Sequence, residues 1–295
     1  MMDFMEEERI KDCIQEVKAV FKTDPRLAFE KLQGLNLENP HVATTTANAL
    51  LQMGKIEESI TVLQDVPLKK CNSDQKEIIL STLASHLNRI GRYFESIAVV
   101  RVAIKNKESN DTLRFTLVSS LLVLGNFQEA EKEARVALGI YPQSDRILLL
   151  LAETLRRQGR FEDALKEVKK SRNWTPTKTL IKIYCFIERG IYISALRELR
   201  LLKFRCRQDQ IIKELKFETQ TRVYTYVILL YCRILDDIHS GKKEGLNVDA
   251  DFPKEVKFAA QRLNRAEERD FRNLDLYYAR EAKNALRLAK NSGLI

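Results

Sequence analysis

The chain has 295 residues, 44% of them apolar, which is enough to build a packed core and excludes a disordered polymer. Ten glycines and six prolines are too few for a sheet-rich protein with many tight turns, so the class is all-α. Fifty Lys and Arg against 41 Asp and Glu leave a net charge of +9, which points to an acidic partner without identifying it.

Met1 to Asp12 is acidic and shows no basic segment followed by an apolar one, so a secretory leader is not expected and a cytoplasmic location is. The same stretch begins a degenerate first helix pair. Thr23 stands at its turn, Ala28 is a small contact residue, Leu32 and Leu35 continue the apolar stripe, and Pro40 closes it.

Next, five glycines, Gly54, Gly91, Gly125, Gly159 and Gly190, recur at intervals of 37, 34, 34 and 31 residues. Each follows an apolar helical stretch, and glycine can take the positive φ that ends a helix and reverses the chain. Two residues on stands a large apolar side chain (Ile56, Tyr93, Phe127, Phe161, Tyr192) that wedges between two helices. Five residues on stands a small one (Ser59, Ser96, Ala130, Ala164, Ala195) that lets the second helix approach the first. Pro142 and Pro176 are expected to stop the second helices. Beyond residue 209 the period ends: a long amphipathic helix is expected over 210–240, a polar linker over 241–253, and one or two helices over 254–290.

With these residues the sequence resembles the tetratricopeptide repeat family. The resemblance implies a right-handed superhelical α-solenoid of about six helix pairs over residues 1–209, with capping helices over 210–295. It also implies that the first helix of each pair lines a concave groove. In the glycine register, Thr44, Thr45 and Asn48, with His41 and Gln52, come from the second pair, and Ser81, Ser85 and Arg89, with Thr82, from the third. Phe115 and Ser119, with Thr112 and Thr116, come from the fourth. Arg146, Leu149, Glu153, Arg156 and Arg157 come from the fifth, with Leu150, and Tyr184 from the sixth, with Thr177, Leu180 and Ile181. Hydroxyls and carboxamides suit the backbone groups of an extended peptide, and Asn48 stands where the family often uses asparagine for that purpose. Aliphatics mixed with arginines suit a ligand with an apolar anchor and an acidic end.

The positive charge is local. Residues 165–216 carry 14 Lys and Arg against 5 Asp and Glu, which accounts for the whole excess. The main contributors are Lys166, Lys169, Lys170, Arg172, Lys182, Arg200, Lys203, Arg205 and Arg207. Such a patch attracts acidic protein surfaces or phosphate backbones, but it lacks recurring aromatics to stack on bases, which ranks nucleic acid second.

The chemistry-bearing residues are sparse. Three histidines carry no i, i+4 pairing for zinc, and no phosphate-binding or nucleophile-elbow glycine motif occurs. Asp236, Asp237 and His239 sit together at a helix end, where a solvated terminus is a better reading than a metal site. Five scattered cysteines, never spaced C-x-x-C, read as reduced structural thiols. The longest apolar run, Val223 to Cys232, has ten residues where a membrane span needs about twenty. The expectation is a non-enzymatic scaffold or adaptor without cofactor or metal, holding a partner peptide in the groove as a subunit of a larger assembly. A nucleic-acid-associated factor acting through 165–216 is the alternative. Self-association is left open.

Overall fold

The computed structural model describes residues 2–20, 23–105, 110–208, 217–240, 252–270 and 276–295. Within these helices, the side chains at 2–7, 18, 203–208, 217–220, 238–239, 252, 266–270 and 276–278 fall outside the description. The described residues form fifteen α-helices and no strand, and the all-α expectation holds.

The chain divides into two compact units. Unit 1, Met1–Pro142, is four helix pairs. They are α1 (Met2–Val20) with α2 (Pro25–Leu32), α3 (Pro40–Gln52) with α4 (Ile56–Gln64), α5 (Ser73–Arg89) with α6 (Tyr93–Lys105), and α7 (Asp111–Val123) with α8 (Phe127–Ile140). Unit 2, Gln143–Ile295, begins with two more pairs, α9 (Asp145–Arg157) with α10 (Phe161–Lys170) and α11 (Pro176–Glu188) with α12 (Tyr192–Gln208). Three further helices follow: α13 (Phe217–His239), α14 (Phe252–Asp270) and α15 (Leu276–Asn291).

The repeat glycines act as the sequence requires. Gly54, Gly91, Gly125, Gly159 and Gly190 have φ between +67° and +81°. At each, two backbone hydrogen bonds close the preceding helix. Gly125 N–H donates to Leu122 O at 3.2 Å and Asn126 N–H to Leu121 O at 2.9 Å, and the same pair recurs at the other four. This is the Schellman closure, which satisfies carbonyls that a helix end would otherwise leave open. The second helix then starts two residues after the glycine, at the wedge residue itself: Ile56, Tyr93, Phe127, Phe161 or Tyr192. All five small residues, Ser59, Ser96, Ala130, Ala164 and Ala195, are completely buried. Where serine replaces alanine its hydroxyl is satisfied in the interior: Ser96 Oγ donates to Ala84 O of its own pair at 2.9 Å, and Ser59 Oγ lies 2.6 Å from His86 Nδ1 of the next pair.

Pro142 follows the end of α8 at Ile140, as expected, but two other prolines behave differently. Pro40 and Pro176 do not stop second helices; they are the first residues of α3 and α11, capped by the side chains of Asn39 and Thr175. A first-turn proline forfeits no helical hydrogen bond and arrives with helical φ, so it starts a helix at low cost. α10 already ends at Lys170, six residues before Pro176.

In unit 2 the core of the last pair runs on without a break. Leu180, Ile183, Tyr192, Ala195, Leu199 and Leu202 share one cluster with Tyr226, Leu230 and Ile234 of α13, Val256 and Leu263 of α14, and Ala282 and Leu286 of α15. Where one or two helices were expected over 254–290 there are two, α14 and α15, and α13 packs against both and against α11. Phe271 and Leu274 lie outside the described residues, and Leu286 of α15 is core.

Candidate functional site

In unit 1 the first helices α3, α5 and α7 lie side by side, because each successive pair stacks on the last through its small residues. Their shared outer face carries Thr45, Asn48, Thr82, Ser85, Phe115 and Ser119, all half-buried, with His41, Gln52 and Arg89 exposed. Thr44 and Ser81, expected on this face, are buried. The threonine hydroxyl protons are not free for a ligand. Thr44 Oγ1 donates to Pro40 O at 2.8 Å, Thr45 Oγ1 to His41 O at 2.7 Å, and Thr82 Oγ1 to Ile78 O at 2.8 Å. A threonine within a helix reaches the carbonyl four residues back, which spends its donor and leaves oxygen lone pairs outward. These hydroxyls can therefore accept hydrogen bonds from a ligand.

Polar contacts also join one first helix to the next. His86 Nε2 of α5 lies 3.2 Å from Asn48 Oδ1 of α3, and His86 Nδ1 lies 2.6 Å from Ser59 Oγ of α4. Ser120 Oγ of α7 donates to Asn88 Oδ1 of α5 at 2.6 Å. Burial, then the charge of Arg89, pulls the His86 imidazole down to about 4, so it is neutral at ordinary pH. Sequence reasoning read Ser59 only as a small packing residue and His86 as a lone histidine. No local spacing links positions 48, 59 and 86.

The corresponding face of unit 2 is arranged otherwise. Glu153, Arg156 and Arg157, expected to stand open to a ligand, are buried, and so is Leu149. Arg156 Nε and Nη2 donate to the two carboxylate oxygens of Glu153 at 2.8 and 2.7 Å, and Arg157 Nε donates to Glu153 Oε1 at 3.0 Å. From α15, Glu281 Oε1 accepts from Arg156 Nη1 at 2.9 Å. From α13, Arg222 approaches Glu153 to 3.9 Å, and Tyr226 OH lies 3.4 Å from Glu281 Oε2. The half-buried Tyr184 ring lies beneath the Arg156 guanidinium, 4.2 Å from its centroid, and 5.4 Å from the Tyr226 ring. Burial pushes the Glu153 carboxyl up, but Arg156, Arg157 and Arg222 outweigh it and hold the group well below the ordinary carboxylate range. These charges are taken up by the protein's own helices, because two carboxylates and three guanidiniums with matched geometry offset one another's desolvation.

Arg222, Tyr226 and Glu281 were not singled out from sequence. The available signal was Arg222 and Tyr226 four residues apart inside an apolar helix, a spacing that places both on one face. Arg146, the remaining fifth-pair position, is half-buried.

The basic stretch is mostly surface. Lys166 pairs with Asp163 at 3.4 Å, Lys170 with Glu167 at 2.7 Å, and Lys182 with Glu198 at 3.0 Å. Lys169, Arg172 and Arg200 are exposed, and the side chains of Lys203, Arg205 and Arg207 lie outside the described residues. Cys71, Cys185 and Cys232 are buried free thiols and Cys13 is a half-buried one; burial pushes Cys185 up to about 12. Cys206 is outside the described side chains. Among the described residues no three His, Cys, Asp or Glu side chains are grouped to hold a metal ion. His239 is outside the described side chains, while Asp237 Oδ2 accepts from Tyr192 OH at 2.7 Å and ties the end of α13 to the start of α12. No helix of the described residues is long and apolar enough to cross a membrane.

Comparison with known proteins agrees with this geometry. The tetratricopeptide repeat family matches residues 121–182, which span the pairs around Gly125 and Gly159. Among solved structures, the chain is similar to a tetratricopeptide repeat protein from Parabacteroides merdae. The two are 16% identical over 86% of this chain and 100% of that one, with a TM-score of 0.55. It is also similar to MamA from Desulfovibrio magneticus, 13% identical over 58% of this chain and 97% of that one, with a TM-score of 0.50. Comparison with curated proteins gives no significant match. The recurring glycine closure and the family match over residues 121–182 mark these helix pairs as tetratricopeptide-like repeats, and the fold is shared with a tetratricopeptide repeat protein.

Proposed function

We propose that the protein is a non-enzymatic scaffold that captures an extended segment of a partner protein on the face made by α3, α5 and α7. One observation supports this choice of face over the rest of the repeat array. Its polar side chains are half-exposed in unit 1, whereas the charged residues Glu153, Arg156 and Arg157 at the matching positions of α9 in unit 2 are buried in a cluster with Arg222 of α13 and Glu281 of α15. An extended peptide has unmet N–H and C=O groups, and a face of amides and hydroxyls meets them without demanding a particular side-chain sequence. Arg89 is the one exposed cation at the predicted positions, so the ligand this face suits is low in charge rather than strongly acidic.

The test is affinity purification from the native source followed by the triple substitution Thr45→Val, Asn48→Ala and Arg89→Ala. Partners recovered by the wild-type chain should be lost from the variant while its circular dichroism stays unchanged; undiminished recovery would sink this reading. The nucleic-acid alternative, acting through 165–216, has weaker support, since Lys166, Lys170 and Lys182 are already engaged by neighbouring carboxylates.

A further inference from the structure

The chain of contacts from Ser59 through His86 to Asn48 has few consistent arrangements of protons. Ser59 and His86 are buried, and the Ser59 hydroxyl has no side-chain contact but the imidazole. If Nδ1 carried the proton and donated to Ser59, the serine hydrogen would be buried without an acceptor, which costs the hydroxyl its desolvation with nothing in return. If instead Ser59 donates to Nδ1, the imidazole proton sits on Nε2 and donates to Asn48 Oδ1, and every group in the interior is satisfied. The neutral imidazole has one proton to place, and the second pattern is the one without a penalty. It fixes the carboxamide of Asn48 as well. With its oxygen held by His86, the amide NH2 is on the other limb. It has no acceptor among the described residues and is absent from the enclosed unsatisfied groups, so it reaches solvent.

We infer that Ser59 and His86 are positioning residues that hold the Asn48 carboxamide with its NH2 outward, as a fixed donor for one backbone carbonyl of a bound extended peptide. This deepens, and rests on, the reading of the α3, α5 and α7 face as the capture surface. Thr45, one helical turn before Asn48, and Thr82 on α5 have already spent their protons on their own helices. The face therefore sets an outward donor beside outward acceptors, which matches the alternating C=O and N–H groups of an extended chain. A strongly acidic tail would meet Arg89 here and no cluster of cations. The chemistry selects backbone rather than charge.

Nitrogen-15 NMR on the intact protein tests this. At pH 7 the His86 ring is expected as the neutral tautomer protonated at Nε2, and a Nδ1-protonated ring would overturn the relay. The probe for the donor is the capped diamide N-acetylglycine methylamide, titrated while the Asn48 side-chain NH2 signals are followed. His86→Leu should cut that response about three- to ten-fold, the loss expected when one neutral hydrogen bond no longer holds the amide. His86→Gln, which keeps a donor toward Asn48, should restore most of it. An equal response in His86→Leu and wild type would overturn the positioning role. Ser59→Ala keeps the small-residue fit that three other pairs already use, so it should fold, and it should turn the single tautomer into a mixture. A retained single tautomer would count against the serine. If wild type shows the Nε2 tautomer but no Asn48 response to the diamide, the relay geometry stands and the capture reading fails.

Discussion

Arg156 and Glu281 meet at 2.9 Å across 125 residues of chain, and the guanidinium that makes this contact is fully buried. Removing one member of a buried charge cluster leaves the others uncompensated. Arg156→Met, which takes from Glu281 its guanidinium and leaves Glu153 with Arg157 and Arg222, should therefore destabilise unit 2 by about 3 kcal/mol. Trp174 is the chain's one tryptophan and packs against the unit 2 core, so its fluorescence during urea unfolding isolates this unit. An unchanged midpoint would contradict the account. Glu281→Gln, which keeps an acceptor for Arg156, should cost less than half as much.

His86 gives unit 1 a pH dependence of known sign. Its folded value of about 4 lies below the ordinary 6.5, so the folded state binds the proton less readily than the unfolded chain does. The stabilisation is fully present above about pH 6.5 and is lost as the pH falls from there toward 4, by about 3 kcal/mol at most. His86→Gln should flatten that part of the stability curve, measured by amide exchange in α3 and α5. A slope that persists in the variant would assign it to other groups.

Two glycines of unit 1 should respond to alanine in opposite directions. Gly125 has φ of +80° with no neighbour to meet a new Cβ, so Gly125→Ala is strained by backbone alone and should cost about 1–2 kcal/mol. Gly139 lies in the last turn of α8 with open space around it, and Gly139→Ala should stabilise by about 0.5–1 kcal/mol. Thermal unfolding followed by circular dichroism reads both, and equal signs would refute the Schellman argument.

The small residue of each second helix is a packing limit. Ala164 is completely buried where α10 meets α9, and Ala164→Leu adds three carbons with no space to receive them. The expected loss is about 3 kcal/mol or more, read by Trp174 fluorescence. A loss below about 1 kcal/mol would mean that the helices separate easily.

Much of the fold was legible because its determinants are local. A Schellman closure needs a positive φ within one turn of the helix end, and a wedge and a small residue at fixed distances from it, so Gly125, Phe127 and Ala130 announce themselves in six letters. Pro176 was placed on the wrong helix because proline excludes a helix interior with equal force whether it ends one helix or begins the next; Thr175 beside it, a capping residue, was the deciding signal. The candidate site was legible only as a register. Position along α9 put Glu153, Arg156 and Arg157 on one face, and they are on one face, but what covers that face comes from Arg222 and Glu281, far along the chain. Nor does spacing reveal that Thr45 and Thr82 turn their protons back onto their own helices, since that depends on rotamer.

The continuous core of unit 2 also bears on how the protein is made. Residues 1–142 hold together by contacts between neighbours in sequence, so each helix pair can pack soon after it leaves the ribosome. The pairs from Asp145 to Gln208 have no such independence. Arg156 waits for a carboxylate made 125 residues later, and until α15 emerges the growing chain lacks that partner and the part of the apolar core that α15 supplies. The codons for α15 thus decide whether this cluster closes, and a nascent chain stalled before Glu281 would be a substrate for chaperones.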